Sequence, residues 1–204
     1  MTRANTQMHR RGGRDNAAMP RLDRLPESLR TGRLLIRVAR AGDGPMFSAA
    51  IADSYAELAP WLGWVSPPPS PDEAEQRCLA AHERFQRNED LMAFFLDAGT
   101  GELVGGSGLH KADWTLRQFE VGYWGRARFA GTGLMTEGVH ALARHAIDVL
   151  GANRVFLTTD ERNERSRRLA ERAGFEYEGT LRQDRLDLHG RLRNTRVYAI
   201  VRPA

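Results

Sequence analysis

A glycine-bearing loop between a strand and a long helix is the segment of this sequence best suited to bind a phosphate. Residues 119–124 have the pattern of a strand, and residues 131–150 have that of an amphipathic helix. Gly131 and Gly133 stand where this helix begins. Glycines let neighbouring backbone N–H groups converge, and the first turn of a helix carries roughly half a positive charge. The segment therefore predicts a cradle for a diphosphate group.

Two common phosphate-binding motifs do not fit this loop. No Gly-Lys-Ser/Thr follows the glycines, which excludes a Walker loop. Thr136 stands where a dinucleotide-binding fingerprint requires its third glycine. Two glycines also occur at ordinary helix starts. The loop alone therefore fits both a phosphate-binding site and an ordinary helix start, and the neighbouring segments are needed to distinguish them.

Those segments resemble the GNAT N-acetyltransferases. Residues 128–133, Arg-Phe-Ala-Gly-Thr-Gly, match the Arg/Gln-x-x-Gly-x-Gly/Ala signature with which this family binds acetyl-CoA. Residues 163–179, with Asn-Glu-Arg-Ser followed by Gly-Phe, are similar to the RimJ/RimL branch of ribosomal-protein N-terminal acetyltransferases. Residues 58–64, Leu-Ala-Pro-Trp-Leu-Gly-Trp, are similar to the same branch. The resemblance extends over residues 29–202 in the family's order.

The resemblance implies an acetyl-CoA site and the residues that form it. Backbone amides of residues 129–134 would hold the pyrophosphate, and Arg128 would add charge. The strand at residues 121–123 would pair with the pantetheine arm through its backbone. Asn163 would bond the pantetheine or the reacting region, although its place at a helix start also suits a simple N-cap. The implied set is Val121, Gly122, Tyr123, Arg128, Phe129, Ala130, Gly131, Thr132, Gly133, Leu134, Asn163 and Ser166.

Two side chains are candidates for catalysis of acetyl transfer to an amine, which needs a neutral amine, donors for the oxyanion and a proton for the thiolate. Glu120 would act as base, directly or through water, or is a solvated strand carboxylate. A backbone N–H of Val121 or Tyr123 would serve the oxyanion. Many family members have a tyrosine acid where this chain has Ala170. Ser166 is the candidate in its place, orienting a water or bonding the sulfur, with a local backbone bond as the alternative.

The expected acceptor is the N-terminal amine of a protein or peptide, including a ribosomal protein. An α-amine with a pKa of about 7.7–8.0 is roughly a tenth neutral at pH 7, whereas a lysine-like amine is neutral to about 0.04%. A small amine such as a polyamine, amino acid or antibiotic is the alternative acceptor, and a CoA-binding module without turnover is the alternative function. We expect direct transfer in a ternary complex, because the single cysteine, Cys78, is predicted on the apolar face of a helix.

Composition and charge disfavour other classes of protein. The longest large-apolar run, residues 91–96, is too short to span a membrane. The net charge is +4, but residues 1–19 carry four arginines against one aspartate, which leaves the remainder nearly neutral and makes nucleic acid an unfavoured partner. A lone cysteine suits a reducing compartment, so the cytoplasm is expected. His140 and His145 lie about 140° apart around their helix, and no metal is expected.

The chain is predicted to contain a short tail and one domain. Residues 1–20 are expected to be a disordered basic tail, and residues 21–204 to be the acetyltransferase domain. The predicted order β-α-α-β-β-β-α-β-α-β-β indicates a single α/β domain, with a mixed, mostly antiparallel sheet of about seven strands and helices on both faces. A final hairpin turning at residues 189–190 and the loop at residues 59–70 would flank the acceptor. A monomer or a homodimer is expected.

Overall fold

Within residues 24–203 the sheet has eight strands, one more than the sequence predicted. The structure, a computed structural model, describes residues 24–203, and the predicted basic tail lies outside the described residues. The strands are β1 (Ser28–Arg30), β2 (Leu34–Val38), β3 (Leu91–Asp97), β4 (Leu103–Asp113), β5 (Gln118–Gly125), β6 (Arg154–Asp160), β7 (Glu176–Leu186) and β8 (Leu192–Val201). Their order across the sheet is β1-β2-β3-β4-β5-β6-β8-β7. The additional strand is β1, whose three residues are too few to produce a readable pattern.

The predicted helices are present, with one division. They are α1 (Gly44–Asp53), α2 (Tyr55–Leu58), α3 (Pro71–Gln86), α4 (Leu134–Asp148) and α5 (Glu164–Arg172). The first predicted helix is divided at Ser54, whose buried hydroxyl accepts a hydrogen bond from the Ala127 N–H at 3.0 Å. A reciprocal capping box between Ser70 and Glu73 begins α3. Within residues 24–203, no helix combines the length and apolar character needed to cross a membrane.

The sheet separates two hydrophobic cores, and helices cover both faces as predicted. On the face that we call the α4 face, Val139 of α4 belongs to the same core as Phe119 of β5. On the opposite side, the α3 face, Phe47 of α1 packs against Phe94 and Trp124, with ring centroids 5.3 and 5.5 Å away. Successive residues of a strand point to opposite faces, so β5 contributes to both cores.

The parallel pair of strands, β5 and β6, separates along its length. Gln118–Glu120 pair with Arg154–Phe156, and the register between the two strands ends there. β5 continues to Gly125 in register with β4, and β6 continues to Asp160 in register with β8. The strands therefore diverge toward their C-terminal ends. On the side facing the gap, the backbone of residues 121–125 has no neighbouring strand among the described residues.

Candidate active site

The gap between β5 and β6 opens into a cleft of about 1360 Å³. One end, which we call the loop end, is lined by the glycine loop and the start of α4: Phe129, Ala130, Gly131, Gly133, Thr136 and His140. The other end, the hairpin end, is lined by the loop after α2 and by the β7–β8 hairpin: Trp61, Leu62, Leu186, Asp187 and Leu188. The separating segment of β5 lies between the two ends.

Most of the residues predicted to hold the cosubstrate line this cleft. They are Val121, Gly122, Tyr123, Phe129, Ala130, Gly131, Gly133, Asn163 and Ser166. Thr132, Leu134 and Arg128 are their chain neighbours. The side chain of Arg128 is paired with Glu102 at 2.5 Å and lies over the Phe129 ring, so its predicted charge is partly neutralised. Arg126, which the sequence did not single out, lines the cleft, and its guanidinium is paired with Asp53.

Backbone groups dominate the loop end. Gly131 and Gly133 have φ angles of 80° and 81°, a left-handed conformation that side chains with a Cβ rarely adopt. α4 begins at Leu134 with Gly133 at the N-cap, which provides no side chain for the first amides of the helix. These amides lie at the positive end of the helix dipole. The loop end therefore suits an anionic group.

A hydrogen-bond network from the turn between β1 and β2 holds the glycine loop. The Arg33 guanidinium donates to the Thr132 carbonyl at 3.1 Å and to the Glu137 carboxylate at 2.6 Å. The Thr31 hydroxyl donates to the same carboxylate at 2.5 Å. This network could not be predicted from the sequence, because about a hundred residues separate its partners and no local pattern marks them.

Ser166 meets a tyrosine hydroxyl inside the cleft. The Tyr123 hydroxyl lies 2.8 Å from Ser166 Oγ and 3.0 Å from the Ser166 carbonyl oxygen. Burial raises the pKa of Tyr123 to about 12, so this hydroxyl stays protonated at neutral pH. Asn163 Oδ1 accepts from the Ser166 N–H at 3.0 Å, which confirms its N-cap interpretation. Ala170, which stands where many family members have a tyrosine, is buried. The tyrosine that contacts Ser166 is Tyr123 of β5.

Glu120 lies on the α3 face, next to the residues that line the cleft. The Thr158 hydroxyl donates to Glu120 Oε1 at 3.0 Å. Lys111 Nζ lies 2.5 Å from Oε2, and the glutamate side chain is 14% exposed. Its carboxylate is therefore partly enclosed and engaged on both oxygens.

The hairpin end is bridged by two loops that the sequence predicted beside the acceptor. A Cβ built on Gly63 would lie 2.9 Å from a methyl group of Leu188, so the loop after α2 and the β7–β8 hairpin touch. The two tryptophans of the loop after α2 differ in their packing. Trp64 packs on Phe47, with centroids 6.0 Å apart, yet remains 42% exposed. Trp61 is 39% exposed and faces the cleft.

The carboxylates of the hairpin end are matched by cations and backbone donors. A hydrogen bond from Arg162 at 2.7 Å lowers the pKa of Asp160. Backbone N–H groups of Arg191 and His189, at 3.0 and 2.9 Å, lower the pKa of Asp187. These aspartates are ionised at neutral pH but paired, so this end is not an unbalanced acidic surface.

The fold and the cleft define a class of enzyme. Residues 33–176 match the family described as the Acetyltransferase (GNAT) domain. The chain belongs to this family and is an acetyl-CoA-dependent N-acetyltransferase, as the sequence predicted.

The chain is similar to several acetyltransferases in sequence or in structure. The chain is 30% identical over 172 residues to YdaF of Bacillus subtilis strain 168, provisionally named a ribosomal N-acetyltransferase, covering 83% of this chain and 91% of YdaF. RimL, the ribosomal L7/L12 α-N-protein acetyltransferase solved with coenzyme A, superposes with a TM-score of 0.78 at 22% identity, covering 84% of this chain and 96% of RimL. MccE, the microcin C7 self-immunity acetyltransferase solved with acetyl-CoA and AMP, gives 0.79 at 18% identity, covering 88% and 99%. The last two likenesses concern the fold alone.

Proposed function

We propose that this enzyme acetylates the N-terminal α-amine of a protein or peptide, by direct transfer from acetyl-CoA in a ternary complex in the cytoplasm. The observation that carries the proposal is the gap between β5 and β6. At one end of this gap lie the backbone amides of the glycine loop and of the first turn of α4, and at the other end lies a bridged passage lined by side chains. Two substrates can therefore enter from opposite ends and meet at residues 121–123.

The loop end and β5 fit acetyl-CoA. Amides around Gly131 and Gly133 would hold the pyrophosphate, with Arg128 nearby. The backbone of residues 121–123, which no described strand flanks on the side of the gap, would pair with the amides of the pantetheine arm, as an added strand would. Asn163 uses its oxygen as an N-cap, so its amide nitrogen is the group it would offer to the ligand.

The residues proposed for catalysis lie on opposite faces of the sheet. Glu120, on the α3 face, would act on the acceptor ammonium directly or through water. Ser166, on the α4 face with Tyr123, would deliver a proton toward the thiolate or bond the sulfur. A backbone N–H of Val121 or Tyr123 would serve the oxyanion. The acceptor amine would approach the thioester on one side, and the thiolate would depart on the other. This arrangement suits a base and an acid on opposite faces of the sheet.

Direct transfer is favoured by the state of the only cysteine. Cys78 is fully buried on α3, in the core of the α3 face. Burial, with Asp43 and Glu75 nearby, raises the pKa of its thiol to about 12. Such a thiol is a poor nucleophile at neutral pH. An acetyl-enzyme at Cys78 is therefore disfavoured.

The passage at the hairpin end supports a slender acceptor. The contact between Gly63 and Leu188 closes one side, which suits the free end of an extended chain better than a side chain on a folded surface. The paired aspartates give no preference for a polycation. YdaF is named a ribosomal N-acetyltransferase, and RimL is named an acetyltransferase of the ribosomal protein L7/L12. Both names support a protein N-terminus as the acceptor.

A small amine is the second candidate acceptor. The same bridge would enclose a small molecule, and the fold is shared with MccE, a self-immunity acetyltransferase solved with AMP. The alternative of a CoA-binding module without turnover is tested by the same experiment.

The test is thiol release from acetyl-CoA with matched acceptors. Peptides beginning with Ser, Ala or Met are compared with the same peptides blocked at the N-terminus but carrying an internal lysine, and with a panel of small amines. We expect release with free N-termini and none with blocked ones. Release with small amines alone would support the second candidate. Acetyl-CoA binding without release from any acceptor would support the binding module.

The role of Glu120 is tested by Glu120→Gln. We expect turnover to fall while acetyl-CoA binding is retained. Unchanged turnover would remove Glu120 from the mechanism. Glu57→Gln, which changes a carboxylate that also lines the cleft, is the matched control.

A further inference from the structure

We propose that His110, oriented by Asp90, is the first acceptor of the proton that the substrate ammonium loses. This inference rests on the acetyl transfer proposed above. It assigns the position between the amine and Glu120 to an imidazole rather than to water, and it makes Glu120 a carboxylate that stabilises the protonated ring.

His110 and Asp90 form an oriented pair. His110 Nδ1 lies 2.7 Å from Asp90 Oδ1. When a neutral imidazole donates its Nδ1–H to a carboxylate, its Nε2 keeps a lone pair and can accept a proton. Arg84 of α3 lies 3.7 Å from the other oxygen of Asp90, which holds that carboxylate from the outside.

Two glycines make room for the ring beside the cleft. A Cβ at Gly108 would lie 2.4 and 2.5 Å from the His110 ring atoms Cε1 and Nε2. A Cβ at Gly122 would lie 3.3 Å from Cδ2 and 3.5 Å from Nε2. The imidazole therefore lies over the positions where these side chains would be. Gly122 itself lines the cleft, next to the proposed thioester site.

The ring is on the side from which the acceptor would arrive. His110 is directly opposite Glu120 in the β4–β5 register, so both point to the α3 face. Leu62, which lines the hairpin end, packs against the core of the same face. Ser166 and Tyr123 serve the other side. Base and acid are thus separated by the strand that would carry the thioester.

The surroundings suit a ring that gains a positive charge. Glu120 oxygens are already engaged by Thr158 and Lys111, which leaves the imidazole as the less occupied base. After protonation, the ring would keep the Asp90 carboxylate at Nδ1, with Glu120 at the directly opposite position of the neighbouring strand. Lys111 and Arg84, which face those carboxylates, are the opposing cations.

The proposed step balances its protons. Nε2 of His110 takes one proton from the ammonium, and the neutral amine attacks the thioester carbonyl carbon. The C–N bond forms and the C–S bond breaks as the oxyanion collapses. As the adduct collapses, the second amine proton is released to water, and the thiolate takes a proton through Ser166, whose hydroxyl is reprotonated by solvent. His110, whose side chain is 35% exposed, returns its proton to solvent.

The experiment compares the pH dependence of kcat/KM in wild type, His110→Gln and Asp90→Asn, with acetyl-CoA and the best acceptor peptide. General-base catalysis contributes on the order of 100-fold or more, so we expect His110→Gln to lose about 100-fold at neutral pH and to lose the acid limb of the profile. Asp90→Asn, which removes a positioning residue, should lose less and shift that limb. Acetyl-CoA affinity should be unchanged in both. His82→Gln is the matched control, because His82 also has Nδ1 within 3.0 Å of a protein oxygen, the Ala39 carbonyl.

Several outcomes would overturn the inference. His110→Gln with wild-type rate and acid limb would leave Glu120 as the base. If His110→Gln does not fold, His110→Ala with added imidazole replaces it, and we expect imidazole to restore rate with His110→Ala but not with Glu120→Gln. No rescue in a folded His110→Ala would count against the proposal. Wild type that transfers to no acceptor would instead refute the proposed function, which separates the two failures.

Discussion

The two ends of the cleft are built in different ways. At the loop end the binding groups are backbone amides, supplied by one continuous segment and by the first turn of α4. At the hairpin end they are side chains from the loop after α2 and from the β7–β8 hairpin, which lie more than a hundred residues apart in the chain. The proposed base on the α3 face, His110, and the carboxylate proposed to stabilise it, Glu120, are likewise on separate strands. A contiguous backbone site leaves a short motif in the sequence, whereas a site assembled from distant side chains does not.

The difference also concerns what each end can tolerate. A backbone site depends on φ and ψ angles, so it fails when a residue cannot adopt the required conformation. A side-chain site depends on shape and contact, so single changes adjust it. The largest effects of substitution are therefore expected at the loop end, where the backbone conformation is fixed.

The largest effect is expected at Gly133. A β-branched residue at a φ of 81° is strained, and left-handed backbone for such residues costs about 1–3 kcal/mol. Gly133→Val should move the loop and weaken acetyl-CoA binding by about 100-fold, because about 1.4 kcal/mol corresponds to a factor of ten. Isothermal titration with acetyl-CoA measures this loss.

A matched control separates strain from binding. Gly42 has a φ of 87° and nothing within 4 Å of an added Cβ. Gly42→Val introduces the same strain outside the cleft lining and should bind acetyl-CoA as wild type does. Equal binding by Gly133→Val and wild type would contradict the assignment of the loop end to the pyrophosphate.

The next effect is expected at the hydroxyl pair between the two ends. Hydrogen bonds to a charged atom contribute about 1.5–3 kcal/mol, so Ser166→Ala should lower kcat by about tenfold to a hundredfold. Tyr123→Phe should lower it less, because it reaches the sulfur only through Ser166. Neither variant should change acetyl-CoA affinity much. Tyr177→Phe removes the hydroxyl of an exposed tyrosine on β7 and is the control, with an unchanged kcat expected.

The pH dependence sharpens the assignment of Tyr123. Its pKa is raised to about 12, so the hydroxyl keeps its proton at neutral and mildly alkaline pH and loses it only at strongly alkaline pH. The kcat profiles of wild type and Tyr123→Phe should therefore have the same alkaline shape up to about pH 10, the ordinary pKa of tyrosine. An alkaline limb below that pH that disappears in Tyr123→Phe would show that the hydroxyl titrates earlier.

Sequence reasoning reached the fold and one end of the site. The strand, the glycine loop and α4 follow one another in the chain, so local patterns predicted them. β1 was missed because three exposed or half-buried residues carry no periodicity. The pairing of Arg33 with Glu137, and of Asp90 with His110, depends on the sheet order, which no local pattern encodes.

A smaller effect is expected where the turn between β1 and β2 holds the glycine loop. Arg33→Met keeps a long side chain but removes the bonds to Thr132 and Glu137, one of them to a charged partner. Acetyl-CoA affinity should fall by about tenfold, which corresponds to about 1.4 kcal/mol. Arg144→Met removes the exposed pair with Asp148 and should change nothing. An unaltered affinity in Arg33→Met would mean that the loop keeps its conformation without this network.

The smallest effect is expected at the hairpin end, where shape and contact decide. Leu188 is 49% exposed and touches Gly63, so Leu188→Ala removes part of an apolar contact and opens the bridge. Losing about two buried methylene groups at partial exposure corresponds to about 1 kcal/mol, or roughly a fivefold rise in KM for the acceptor. The KM for acetyl-CoA should stay constant, because the loop end is untouched. Leu192→Ala, on the same hairpin but 60% exposed and outside the cleft lining, is the control. Equal changes in both KM values would show that the two ends are coupled, and the contrast between a conformational site and a contact site would then fail.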